Sequence, residues 1–342
     1  MTITSLAVRQ TGLVTSVGLD APSSCAAIRA KLTNPVETRF VDGTGNWLMA
    51  HEIPLAEPWR GLDKLARIAA MAIEECLDSV PRAEWPRIPL LLCVAERERP
   101  GRLDGLDDRL FAAVEDLLKA HFSSSSVIIT HGRVSAAVAL AAAHKLLDGP
   151  DCTQVVVAAC DSLLHWPSLS VFESKDRLLT ETNSNGFMAG EAAGAVLLGR
   201  PGTGPELRCT SVGFGVEPAP IDSGEPFRGE GLALAIRQAL DDSGRKMHEM
   251  DLRIADLSGE QYYFKEAALS LSRTMTQTKE FFDLWHPAES IGETGAASGL
   301  AVLAALDAAC RKGYAPGRRA VAHFANDGGQ RAAAIFEYAG AA

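Results

Sequence analysis

Seven cysteines are the most nucleophilic side chains in this 342-residue sequence, at positions 25, 76, 93, 152, 160, 209 and 310. None belongs to a C-x-x-C pair, so the spacing offers neither a zinc site nor a disulfide framework, and buried reduced thiols are expected. Cys160 follows the apolar run Val155 to Ala159 with no histidine near it in sequence, which reads as a packed structural thiol. Asp161 and Ser162 beside it complete no triad that spacing alone identifies. The glycine pairs Gly43-x-Gly45, Gly213-x-Gly215 and Gly229-x-Gly231 are too short for a dinucleotide fingerprint, and there is no G-x-x-x-x-G-K-[ST] loop, so no cofactor is expected. The balance of 33 basic and 43 acidic residues, formal charge −10, repels nucleic acid. The pairs Arg318-Arg319 and Arg245-Lys246 read as solvated surface.

Composition, with 47% hydrophobic and 22% charged residues, calls for a packed globular core. No segment reaches 18 uninterrupted apolar residues, and Met1 to Ser5 has no basic stretch leading into an apolar one, so a soluble, cytoplasmic protein without a membrane partner is expected. The periodicity predicts an opening strand at Ile3 to Val8, a glycine turn, and a helix from Ala21 to Lys31 with Pro22 and Ser23 at its start. Further helices are predicted at Asp63 to Leu77, Leu110 to His121 and Ser135 to Leu147, and strands at Leu90 to Ala95, Ser126 to Ile129, Val155 to Ala159 and Ala192 to Leu198. After a linker at Gly199 to Gly204, strands at Cys209 to Val216, Leu252 to Leu257, Ala320 to Phe324 and Ala332 to Tyr338 alternate with helices at Gly229 to Asp242, Phe264 to Thr274 and Ala297 to Lys312. Such alternation predicts a mostly parallel α/β sheet. The alanine-rich helix at Ser135 has no charged side chain between Arg133 and Lys145, hence no solvent face, and Ala297 to Lys312 is its small-residue counterpart. A duplicated unit with two central helices follows.

Several blocks, in order, resemble the β-ketoacyl synthases over nearly the whole length. They are the opening TGLVTSVGLDAPSSCAAIRAKL, then Gly186-Phe187-Met188-Ala189-Gly190-Glu191-Ala192-Ala193-Gly194 against the family's G-F-x-x-G-E-G-A-G, and FRGEGLALAIRQALDDSG. Gly292-Glu293-Thr294-Gly295-Ala296-Ala297-Ser298-Gly299 is similar to G-H-T-x-G-A-S/A-G, and Asn326-Asp327-Gly328-Gly329-Gln330 stands where the family has G-F-G-G-T. The resemblance implies a thiolase fold of two βα repeats in five α/β/α/β/α layers, with halves at residues 1–203 and 204–342. It also implies a homodimer, built by pairing Asp151 to Ala159 across the two-fold axis.

The same blocks imply that the catalytic groups are gone. The family's nucleophilic cysteine falls on Gly132 in Thr130-His131-Gly132-Arg133-Val134-Ser135, one histidine falls on Asp256, the other on Glu293, and the gating phenylalanine on Asp327. Condensation needs a thiolate and hydrogen-bond donors where enolate charge develops, and ionised carboxylates supply neither. His131, Arg133, Gly328, Gly329 and Arg331 are the remaining site-lining candidates. Three carboxylates meeting in one pocket admit two readings: a Mg²⁺ or Ca²⁺ site, or, as we prefer, compensation by Arg133 and Arg331 with no metal.

The resulting expectation is a non-catalytic protein acting through a protein partner, for which an accessory protein of a type VI secretion effector is the first reading. The alternatives are a chain-length-factor-like subunit or an acyltransferase using Cys160 or His131 in fatty acid or polyketide synthesis, with a carrier protein or ketosynthase as partner, and an acyl- or CoA-binding protein without turnover.

Overall fold

The computed structural model describes residues 5–340. The first repeat contains β1 (Leu6–Val14), α1 (Ala21–Arg29), the hairpin β2 (Val36–Val41) and β3 (Trp47–His51), α2 (Gly61–Cys76), β4 (Leu90–Cys93), α3 (Arg109–Leu118), β5 (Val127–Ile129), α4 (Ser135–Asp148), β6 (Gln154–Ser162), α5 (Trp166–Ser174) and β7 (Ala189–Gly199). The second contains β8 (Glu206–Val216), α6 (Glu230–Ser243), β9 (Leu252–Ala255), α7 (Gln261–Thr274), β10 (Leu284–Trp285), α8 (Ala288–Ile291), α9 (Ser298–Arg311), β11 (Arg319–Ala325) and β12 (Gln330–Ala339). Ile3 and Thr4 of the expected opening strand lie outside the described residues.

Both repeats lay their strands down in one order. The first reads β5-β4-β6-β7-β1 and the second β10-β9-β11-β12-β8, and the two runs join where β1 pairs antiparallel with β8 through Leu6, Ala7 and Val8. In each, the strand next to the join runs antiparallel to its neighbours while the outer three are parallel. Helices α4 and α9 lie between the two sheets in one shared core, α2 and α3 cover the outside of the first, and α6 that of the second. This is the expected five-layered thiolase fold.

Small residues make the central layer possible. A Cβ on Gly299 of α9 would stand 2.5 Å from the Ala136 Cβ of α4, and one on Gly194 of β7 would stand 2.8 Å from the Leu300 Cβ. The two helices therefore pack with little more than the Ala136 methyl between them, and nearly every residue of α9 is buried.

Three local expectations are corrected. The opening strand does not stop at Val8: β1 runs on to Val14 through Gly12, where the missing side chain lets the Ala72 carbonyl of α2 come within 2.0 Å of where a Cβ would stand, and the glycine turn follows, closed by Thr15 and Gly18. The stretch His165 to Asn185, to which the periodicity assigns no helix or strand, opens with α5. The third concerns assembly: β6 is flanked by β4 and β7, so Asp151 to Ala159 has no free edge with which to pair across a two-fold axis. The free edge of the first sheet is β5.

Candidate functional site

The turn Gly132–Val134 leads into α4 from the end of β5, and it carries the buried Arg133 to the meeting point of the two repeats. Its guanidinium donates to Glu293 Oε2 at 3.1 Å and to Asp327 Oδ1 at 3.0 Å, while its Nε stands 4.0 Å from Asp256 Oδ2. The Tyr263 ring lies 4.4 Å from the guanidinium carbon. The three carboxylates named from the sequence are thus brought together around one arginine, which stands in the place a cation would take. Among the described residues no group of three or more His, Cys, Asp or Glu is arranged to hold a metal ion.

Each carboxylate has further partners. Glu293 receives the Ser258 hydroxyl at 2.7 Å and the Gly295 N–H at 2.8 Å, and Asp256 accepts the Ala325 N–H at 3.0 Å. Asp327 is held most tightly, by a residue the sequence did not point to: Arg177 donates to it at 2.6 and 3.1 Å and to Glu260 at 2.7 and 2.8 Å. Tyr263 adds its hydroxyl to Asp327. Burial alone would raise the Asp327 pKa, but Arg133, Arg177 and Tyr263 hold it well below the usual carboxylate range. Asp256 has only the Ala325 N–H and the distant edge of Arg133 among the described residues, and burial pushes it up to about 7.

Arg331 does not join this group, contrary to expectation. Its Nε donates to both oxygens of Glu266 on α7 at 2.7 and 2.8 Å, its Nη1 to the Asn326 carbonyl at 2.7 Å and its Nη2 to the Tyr262 hydroxyl at 3.2 Å. It is fully buried there. Gly328 and Gly329 shape the β11–β12 turn: Gly329 sits at φ +87, and its carbonyl accepts the Glu217 N–H at 2.8 Å. The backbone N–H of His131 donates to Ser135 Oγ at 3.0 Å, at the start of α4.

Gly132 itself adopts φ +54, a left-handed conformation suited to glycine. The space a side chain would enter is filled, because a Cβ there would stand 2.0 Å from Glu96 Oε2. Glu96 follows β4 and is paired with Arg99, which also binds Asp161 at the end of β6. These groups, missed from sequence, occupy the carboxyl ends of parallel strands, where α/β folds put their sites. The cavity left among Glu96, Arg133, Arg177, Glu293 and Asp327 is about 20 Å³, room for roughly one water. Cys160 offers no substitute nucleophile: it is buried on β6, and burial pushes its thiol far above the range in which a thiolate forms.

No protein-family model matches the chain, and no curated protein matches it. Solved structures do. The ishigamide ketosynthase/chain length factor aligns over 99% of this chain and 100% of its own at 16% identity and a TM-score of 0.78. A structure of a type II polyketide acyl carrier protein in complex with its ketosynthase aligns over 98% and 100% at 13% identity, TM-score 0.81. A ketosynthase in complex with its chain length factor from Xenorhabdus doucetiae aligns over 98% of each chain at 12% identity, TM-score 0.75. With the repeated strand order and the paired central helices, these likenesses show that the chain has the ketosynthase form of the thiolase-like fold.

Proposed function

We propose that this chain is a non-catalytic ketosynthase-fold subunit of the chain-length-factor kind, which works by pairing with a ketosynthase. The observation that carries the reading is the Glu96 carboxylate in the space a side chain at position 132 would need. An acyl group has no atom to bind there and no volume to enter. The 20 Å³ remnant also speaks against an acyl- or CoA-binding role at this site, and buried Cys160 speaks against a relocated acyltransferase. Two of the similar solved structures are described as a ketosynthase with a chain length factor, which supports this partner class over a secretion effector.

The surface offered to the partner is the free edge of β5, where Val127 is exposed. Co-expression with a ketosynthase encoded beside this chain should yield a one-to-one complex by light scattering, and Val127→Lys should dissociate it while leaving the chain folded. Incubation with acyl-CoA should leave the intact mass unchanged. Self-association with no partner complex would overturn the pairing, and an acyl adduct on the chain would overturn the non-catalytic reading.

A further inference from the structure

A second pocket, of about 210 Å³, lies at the far edge of the second sheet, where α1, β10, α8 and the end of α9 meet. Its back and sides are Ile28, Ile254, Leu284 and Ala305, with Trp285 and Tyr314 as aromatic walls whose rings stack at 6.3 Å and 25°. For scale, an apolar cavity of about 150 Å³ accepts benzene.

Apart from Glu289, the polar side chains that line this pocket can all donate a hydrogen bond. Ser290 is 1% exposed, yet among the described residues its hydroxyl has no hydrogen-bond partner, and neither do the Tyr314 hydroxyl and the Trp285 indole N–H. Arg29 lies with its guanidinium carbon 4.2 Å from the Tyr314 ring and has no carboxylate partner among the described residues. The acid on the rim, Glu289, is engaged by Lys31 at 3.4 Å and His286 at 3.2 Å.

We infer that this pocket binds a small planar carboxylate, with the ring between the aromatic and aliphatic walls and the carboxylate received by Arg29 and the Ser290 hydroxyl. The chemistry follows from the lining: several donors, a guanidinium with no carboxylate partner among the described residues, and a flat apolar interior. The site is separate from the carboxylate–arginine web and from the β5 edge, so it stands or falls independently of the partner proposed above.

Calorimetric titration of the full chain with 2-naphthoate tests it, with 2-naphthylmethanol as the neutral analogue. The expected result is saturable binding of the carboxylate and at least about tenfold weaker binding of the alcohol. Arg29→Gln should weaken naphthoate by about tenfold and Ser290→Ala by several-fold. Ser290→Ala should leave the melting temperature of the free chain nearly unchanged, whereas a purely structural serine would lower it. Ala305→Phe should abolish binding by filling the space. No binding of naphthoate at millimolar concentration, equal binding of the neutral analogue, or binding indifferent to both Arg29→Gln and Ser290→Ala would overturn the assignment.

Discussion

The two central helices begin in the same way and are secured differently. Gly132 before α4 and Gly295 before α9 share a left-handed conformation, φ +54 and +55, and a Cβ on either would strike a carboxylate oxygen, Glu96 at 2.0 Å or Asp161 at 2.1 Å. Arg99 ties those two carboxylates together. At α9 the acids also hold backbone: Asp161 accepts the Ala296 N–H and Glu293 the Gly295 N–H, both at 2.8 Å. At α4 the Gly132 N–H instead goes to the Val94 carbonyl, and among the described residues the Glu96 carboxylate bonds only to Arg99. The second start is clamped by charge and the first merely filled by it, so the position aligned with the family's nucleophile is the softer of the two.

Arg99→Ala should do the most damage, since it leaves Glu96 and Asp161 facing each other in a buried site; we expect about 3–5 kcal/mol lost in urea denaturation. Separating the two ends comes next. Asp161→Ala should cost about 2–4 kcal/mol and Glu96→Ala about 1–2, because only the former unties backbone from α9. Equal losses would erase the asymmetry. Gly295→Ala should cost more than Gly132→Ala, each of the order of 1–3 kcal/mol, because Glu96 has a longer side chain with which to retreat, whereas at Gly295 the obstruction is the short Asp161 with Arg99 Nη2 at 2.9 Å. Gly132→Cys should meet the same obstruction and form no acyl adduct on intact-mass analysis.

The smallest effect expected is one of pH. Asp256 titrates near 7 in the folded chain, raised by burial. A raised pKa gives stability that is full below the unfolded value, about 4, and is lost as the pH climbs through 7. Asp327 has the opposite sign: its contribution is present above about pH 4 and is lost on acidification toward its depressed folded value. Asp256→Asn should therefore melt close to the unsubstituted chain at about pH 5 and above it at about pH 8. A gap that does not grow with pH would show that Asp256 is not the titrating group.

Much of the frame was legible in the residues. Charge-free runs at Ser135 and Ala297 imply helices with no wet face, and the convergence of Asp256, Glu293 and Asp327 on Arg133 followed from aligned motifs. What was hidden was direction and neighbourhood. Arg331 is followed by Ala332, Ala333 and Ala334, and with alanines on both faces nothing in the text says which face meets α7. The run Glu96-Arg97-Glu98-Arg99 alternates in sign like a solvated loop, yet two of its members are drawn into the site because the run leaves the carboxyl end of β4. Arg177 sits in a stretch without periodicity. Strand order is absent from local pattern altogether, and the resemblance alone put Asp151 to Ala159 at an edge, where the sheet sets β6 between β4 and β7.

The arginine web also bears on how the chain folds. Arg133 reaches Asp327 across 194 residues of sequence, and Arg311 reaches the Val8 carbonyl across 303. Neither contact can form until both repeats exist and have met, and each closes a very long loop. Such contacts come late on a folding route and raise the barrier to coming apart more than they hasten coming together. The buried charges thus act as a lock on unfolding: substitutions there should show chiefly as faster unfolding in stopped-flow traces, with the refolding rate nearly unchanged.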